Sequence, residues 1–248
     1  MLNTEKRILH EGESLDDLIL GDLQVIQSTQ GYRFSLDAVL LAHFPDSAPQ
    51  QVVELGGGSG VISLIMAWRA PRANFSLIEI QPAMVERARR SIVLNGLEER
   101  INVIEGDIRE IEKIVPGEYA DLVISNPPFW KKGEGKVSSN TEEAIARHEL
   151  NLNLEELVQK GAYLLRQGGK MDIIHRAERL DEAMEIFRRY KTPVRKLRMI
   201  HSFIEREARL VLIEAVKNRP GPLRVMPPLI IYDKVGEYGQ ELRQIYNR

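Results

Sequence analysis

Strand-like and helix-like segments alternate along most of this chain, and that alternation restricts it to a mainly parallel sheet covered by helices. Runs rich in Val, Ile and Leu at Gln51–Leu55, Asn74–Glu79, Ile101–Glu105, Ala120–Ser125, Lys170–His175, Val194–His201 and Arg209–Lys217 read as strands. Their apolar character is expected where helices bury both sheet faces. Helices are expected at Val61–Ala70, Ala83–Asn95, Glu142–Ala146, Leu154–Arg166 and Leu180–Tyr190. In the second of these, Val85, Ala88 and Ile92 recur at helical spacing, Pro82 opens the first turn and Asn95-Gly96 closes the last. The final two strands are joined by a short polar turn, so an antiparallel hairpin should finish the sheet. Upstream, Leu18–Leu20 and Leu23–Gln27 flank Gly21-Asp22 as a small hairpin. The stretch from Pro220 to Arg248 is rich in Pro and Gly and reads as a surface tail. The expectation is one α/β domain: an N-terminal segment over 1–48, a core over 49–218 and a tail over 219–248.

Composition excludes several alternatives. No apolar run approaches the roughly 18 residues of a membrane helix, and the N-terminus has no signal-peptide core, which points to the cytoplasm and to no membrane partner. Zero cysteines exclude disulfides, thiolate metal sites and cysteine nucleophiles. Net charge is only −2, but it is unevenly spread. Thirteen Lys/Arg against seven Asp/Glu fall between Arg176 and Arg224, whereas the first fifty residues hold three basic and eight acidic side chains. The basic stretch is either a nucleic-acid face or a solvated surface.

The strand Val52–Leu55 runs into Gly56-Gly57-Gly58-Ser59-Gly60, which opens a helix. Glycines at alternate positions allow a tight turn and close approach of backbone to a ligand. A G-x-G-x-x-G fingerprint fails because position 61 is Val61, and no G-x-x-x-x-G-K-[ST] is present. Glu79 ends the next strand 19 residues after Gly60, where a carboxylate can accept from both hydroxyls of a ribose. A third strand ends in Gly106-Asp107-Ile108. Each acid alone is an ordinary strand-end turn or cap; three in register argue for a nucleoside site.

Acidic-x-Gly-x-Gly-x-Gly, beginning at Glu54, resembles the first motif of class I S-adenosylmethionine methyltransferases. The resemblance implies a Rossmann-like, seven-stranded, mainly parallel sheet with an antiparallel final strand, and S-adenosylmethionine as cofactor. It assigns Glu54, Gly56, Gly58, Gly60, Glu79, Ile80, Asp107, Ile108 and Asn126 to cofactor binding, with Asp107 accepting from the adenine amine and Ile108 packing on the ring.

Ser125-Asn126-Pro127-Pro128-Phe129-Trp130 follows the fourth strand. An exocyclic adenine nitrogen is a poor nucleophile because its lone pair is delocalised. The Asn126 side-chain carbonyl and the Pro127 backbone carbonyl can accept its two hydrogens and aim that lone pair. The prolines restrict the backbone that carries those acceptors. Phe129 offers a face for an extruded base, worth roughly 1–3 kcal/mol. Asn-Pro-Pro-aromatic resembles the fourth motif of amino-directed methyltransferases, which include adenine-N6, guanine-N2 and glutamine-N5 enzymes. The catalytic candidates are therefore Asn126, Pro127 and Phe129.

The segment Gly31–Ala42, together with Asn126–Trp130, Ala146-Arg147-His148-Glu149 and Glu237–Glu241, resembles the bacterial tRNA(Val) adenine-N6 methyltransferases over nearly the whole chain. That family acts on the adenosine immediately 3′ of the anticodon, which implies tRNA as partner; the sequence does not fix the oligomeric state, and a monomer is the favoured expectation. It also implies that Phe34, Ser35 or Asp37 lies over the cofactor; read alone, the stretch is a helix start capped by Ser35. Gly57 departs from relatives that carry a larger residue, a change expected not to disturb binding. Glutamine-N5 enzymes usually carry a preceding helical domain and guanine-N2 enzymes a duplicated one, neither of which fits here. A non-catalytic binding module would have no need of the acceptor pair. H-E-x-x-H fails at Leu152, the other histidines show no ligand spacing, and no metal is expected. Lys131–Lys136 is expected to form a basic loop beside the target pocket.

Overall fold

The computed structural model describes residues 8–31, 33–47, 49–127 and 152–246. Pro128, Phe129 and Trp130, the basic loop 131–136, the helix expected at 142–146 and Arg147-His148-Glu149 lie outside the described residues.

A two-stranded hairpin, β1 (Glu13–Asp17) and β2 (Gln24–Ser28), comes first and leads to α1 (Leu36–His43). The core then alternates: β3 (Gln51–Leu55), α2 (Val61–Arg69), β4 (Asn74–Glu79), α3 (Pro82–Leu94), β5 (Ile101–Glu105) and, after a 3₁₀ turn, β6 (Ala120–Ser125). It continues with α4 (Leu154–Leu164), β7 (Leu165–Arg176), α5 (Leu180–Arg189), β8 (Val194–His201) and β9 (Ala208–Val216). The tail adds β10 (Arg224–Val225), β11 (Leu229–Ile230), the hairpin β12 (Tyr232–Lys234) and β13 (Glu237–Tyr238), and α6 (Gln240–Tyr246).

All seven expected core strands form one sheet in the order β8-β9-β7-β6-β3-β4-β5, which β10 and β11 extend beside β8 to nine strands. Strand β9 is antiparallel to both neighbours and is inserted between β7 and β8. Side chains alternate across the sheet: Val52, Leu77, Leu122 and Ile174 face α1–α3, while Val53, Ile78, Val123 and Ile173 face α4 and α5. The carboxyl ends of β3, β4, β5 and β6 lie along one edge, as their parallel registers require.

Three local expectations are corrected. The N-terminal hairpin begins at Glu13; Leu18, Leu20 and Leu23 belong to its connection, where they are buried. Strand β7 starts five residues earlier than expected, directly after α4, because a bulge between the Ala120–Leu165 and Leu122–Lys170 pairs absorbs the extra residues. Gly168 at φ +71 and Gly169, where a Cβ would meet the carbonyls of Arg166 and Ala120, make that bulge possible. The tail is integrated rather than draped: Leu229, Ile231, Leu242 and Ile245 are buried in the core.

Candidate cofactor and target site

The glycine loop is built by backbone conformation. Gly56 and Gly58 adopt φ of +70° and +55°, which side-chain-bearing residues rarely take. The amides of Gly56 and Gly57 donate to the Ile78 carbonyl at 2.9 and 3.2 Å, which folds the loop toward β4. Gly57 has ordinary φ, but a Cβ there would lie 2.3 Å from Leu77 Cγ. The buried Leu77 thus fills the space that a larger residue at position 57 would need. Gly57→Val is expected to destabilise the fold by about 1–3 kcal/mol, and Leu77→Ala added to it should return part of that loss, as read from urea unfolding.

Glu79 is buried and spans the loop. Its Oε2 accepts from the Gly58 amide and its Oε1 from the Gln81 amide, both at 2.9 Å, so the carboxylate is fixed beneath the cleft. Glu54 is turned inward, accepting from the amide of Ser63 at 3.0 Å and from its hydroxyl. Burial pushes the Glu54 carboxyl up to about 8, with the charge of Glu79 adding to the effect. At neutral pH Glu54 is thus largely protonated and acts as a latch between β3 and α2.

Above these residues lies a cleft of about 940 Å³, counting the open space at its mouth. Phe34, Glu54, Gly56 and Gly58 line it from the N-terminal side, and Glu79, Ile80 and Ile108 form the wall beyond. Asn126 and Pro127 close the remaining side. The Ser125 hydroxyl donates to the Leu55 carbonyl at 2.7 Å, which holds the end of β6 against the glycine loop and brings Asn126 to its place. Ser125, which opens the Asn-Pro-Pro motif but was given no role, also lines the cleft, as do Gln81, Met84 and Leu152, which belong to no short motif and were not found from sequence.

Three expected cofactor residues lie outside the lining. Gly60, at φ +86, caps α2 and packs near Leu77 and Ala88. Asp37 is half-buried in the first turn of α1, where desolvation raises its carboxyl, and Ala38 takes the cleft-lining position. Asp107 caps the 3₁₀ turn through the Arg109 amide and holds the Arg109 guanidinium at 2.5 Å, which lowers its pKa. Asp107 is paired with Arg109 here, while Ile108 beside it forms part of the wall.

Phe34 is placed by long-range bonds. Asn95 of the α3 cap exchanges hydrogen bonds with the backbone of Gln24, and Ser91 Oγ accepts from the Ile26 amide at 2.9 Å, which docks the hairpin on α3. The wholly buried Gln27 then accepts from the Phe34 amide at 2.9 Å.

The basic stretch does not form one face. Arg179 pairs with Glu182, Arg189 with Glu155 and Glu185, Arg198 with Glu241, and Arg224 with Asp46. Lys196 is buried between Asp46 and Glu214. Arg188–Arg198 also lies toward the amino end of β8, away from the cleft. His10, Glu13 and Glu86 come within metal-ligand distance of one another, but Arg90 holds both carboxylates.

A glycine cradle over a buried acid at the carboxyl edge of a mainly parallel sheet, with Asn126 and Pro127 beside it, has the plan of a class I, Rossmann-like transferase. The chain belongs to the methyltransferase small-domain family, whose model matches residues 35–198, and it is a methyltransferase. It is 29% identical over 222 residues to the tRNA1(Val) (adenine(37)-N6)-methyltransferase of Porphyromonas gingivalis, covering 84% of this chain and 85% of that one. The protein of the same name from Shewanella baltica is 24% identical over 218 residues, covering 87% and 90%. Among solved structures, a predicted O-methyltransferase from Agrobacterium tumefaciens superposes with a TM-score of 0.68 at 24% identity, covering 85% of this chain and 95% of that one. The tRNA m1G37 methyltransferase of M. jannaschii does so at 0.59 and 17%, covering 86% and 59%. Both likenesses concern the fold. No described helix is long and apolar enough to cross a membrane.

Proposed function

We propose that the protein transfers a methyl group from S-adenosylmethionine to the exocyclic amine of an adenosine in tRNA, the adenosine 3′ of the anticodon in tRNA(Val). The observation that carries this reading is the shared cleft: Asn126 and Pro127 line the same cavity as the glycine loop and Glu79. The residues fit the cofactor. Glu79 stands at the end of β4 in the cleft lining, where a carboxylate can meet ribose hydroxyls, Ile80 and Ile108 offer apolar walls for a purine, and the glycines leave room for close approach. When bound there, S-adenosylmethionine supplies an electrophilic sulfonium methyl group.

The chain's own residues handle the amine. The Asn126 side-chain carbonyl and the Pro127 backbone carbonyl accept its two hydrogens and direct the lone pair into the cleft. Much of the acceleration comes from this orientation. Phe129 is assigned the stacking of the extruded base. The names of the relatives support tRNA as substrate and adenine-N6 as position.

The test is incubation with labelled S-adenosylmethionine and total unmodified tRNA, followed by nucleoside analysis. Labelled N6-methyladenosine in tRNA(Val) is the expected product; label in a release factor and none in RNA would overturn the reading. Gln27→Ala, which leaves the Phe34 amide without its acceptor, is expected to weaken S-adenosylhomocysteine binding by roughly fivefold, about 1 kcal/mol, in calorimetric titration.

A further inference from the structure

Helix α1 reaches from the cofactor cleft to a buried cluster of charges. Phe34, just before its N-cap Ser35, and Ala38, in its first turn, line the cleft. Its eight residues rise about 1.5 Å each, so its other end lies about 12 Å away. Ala38, Val39, Leu40, Leu41 and Ala42 are all buried. Apolar contact is non-directional, however, and by itself leaves a short helix free to slide or turn on its bed. Directional bonds must fix its place along the axis. At the start of the helix, Gln27 supplies one through the Phe34 amide.

The last carbonyls of a helix lack partners within it and sit at the negative end of its dipole. In α1 two cations from different elements meet them. The Arg69 guanidinium, from the last turn of α2, donates to the Ala42 carbonyl. Lys196 Nζ, from β8, donates to the Phe44 carbonyl at 3.2 Å and lies 4.0 Å from the centre of the Phe44 ring. A bulge delivers this lysine. Val194 pairs with Ala215 and Lys196 with Glu214, so Lys196 takes the position that Arg195 would hold in a regular ladder.

Stability alone does not account for the lysine. It is 1% exposed, and desolvation of a buried ammonium offsets most of the attraction of its partners. Nor do the neighbouring carboxylates depend on it: Asp46 is also held by Arg224 at 2.8 Å, and Glu214 by Lys170 at 2.9 Å. What Lys196 adds that these cations do not is the bond to the end of α1.

We propose that Arg69 and Lys196 form a clamp that sets α1 along its axis and thereby holds Phe34 and Ala38 in register with the bound cofactor. Both are positioning residues, since neither lines the cleft. The inference rests on the cofactor reading above and adds to it two residues that govern affinity from outside the site.

The test is calorimetric titration of S-adenosylhomocysteine, with melting temperature and steady-state methylation measured in parallel. Lys196→Met keeps the apolar stem and removes the ammonium; it should weaken binding about tenfold, ~1.4 kcal/mol. Arg69 is exposed, so Arg69→Met leaves the core intact, and it should weaken binding about fivefold. In both variants the KM for S-adenosylmethionine should rise by a similar factor, with kcat within about twofold of wild type. Lys170→Met is the control: it takes the other ammonium from Glu214 without touching α1, and should leave affinity within about twofold of wild type. Unchanged affinity in Lys196→Met would overturn the proposal, as would an equal loss in Lys170→Met, which would mark a general loosening of the charge cluster. If Lys196→Met does not fold, Arg69→Met decides, and wild-type affinity there overturns the clamp. Failure of the wild-type protein to bind S-adenosylhomocysteine would sink the cofactor reading and the clamp together; normal wild-type binding with indifferent variants sinks the clamp alone.

Discussion

Asn126→Ala is expected to lower the rate of methyl transfer by about 10²–10³-fold while leaving S-adenosylhomocysteine affinity within about threefold of wild type. Removing one donor from a preorganised oxyanion hole costs roughly 2.7–4 kcal/mol, and an acceptor aimed at a reacting amine is comparable in kind. Asn126 is only half-buried, at the end of β6, so truncation opens no core cavity. The glycine loop and Glu79, which hold the other half of the cleft, are tied to Ile78, Gly58 and Gln81 and do not depend on Asn126. Single-turnover rates with tRNA beside calorimetric titration separate the two effects. Retention of more than about half the rate would mean that the amine is not held by this acceptor pair.

Asp172→Asn is expected to stabilise the protein at pH 8 and to flatten the pH dependence of its unfolding. Asp172 is completely buried on β7, directly across from Glu214 of β9, and neither of its carboxylate oxygens has a hydrogen-bond partner among the described residues. The neighbouring lysines are already engaged: Lys170 and Lys196 both reach Glu214, at 2.9 and 3.2 Å. Burial first, and then the like charge of Glu214, push the Asp172 carboxyl up to about 8 from 3.8. With the folded-state pKa raised, the folded protein holds this proton more tightly than the unfolded chain. The associated stability is complete below about pH 4 and is lost as pH rises toward 8. At about 1.4 kcal/mol per unit, discounted for the nearby lysines, the asparagine variant should gain about 2–4 kcal/mol at pH 8. Urea unfolding at pH 5 and pH 8 measures this directly. Glu54 titrates in the same direction, so a residual slope belongs to it; an unchanged slope would show that Asp172 is ionised in the folded state.

Much of the core was legible because its signals are local. Val194–His201 could be bounded from composition and turn chemistry alone, and Pro82 with Asn95-Gly96 bracketed α3. The bulge at Gly168-Gly169 was not legible, since a glycine pair reads equally well as the end of a helix. The N-terminal hairpin was misread for a related reason. Leu18, Leu20 and Leu23 look like strand residues because they are apolar, but their burial comes from docking of the connection against the core rather than from sheet pairing.

The candidate site divides along the same line. Gly56, Gly58, Glu79 and Asn126 could be chosen from residue type and spacing, because backbone freedom, a strand-end carboxylate and a proline-braced amide are properties of short segments. Asp107 could not be separated from them by sequence, and its pairing with Arg109 depends on the geometry of the 3₁₀ turn. The basic excess between Arg176 and Arg224 likewise lost its meaning as a single patch once Glu155, Glu241 and Asp46 were brought beside it. Gln27 and Phe34 met through a hairpin docked on α3, and Lys196 of β8 met the end of α1. Local pattern thus specified strands, helices, the glycine loop and the Asn-Pro turn that follows β6. Tertiary contact decided which charges remain available, what holds the cleft and what closes the end of α1, because each of those depends on partners far apart in the chain.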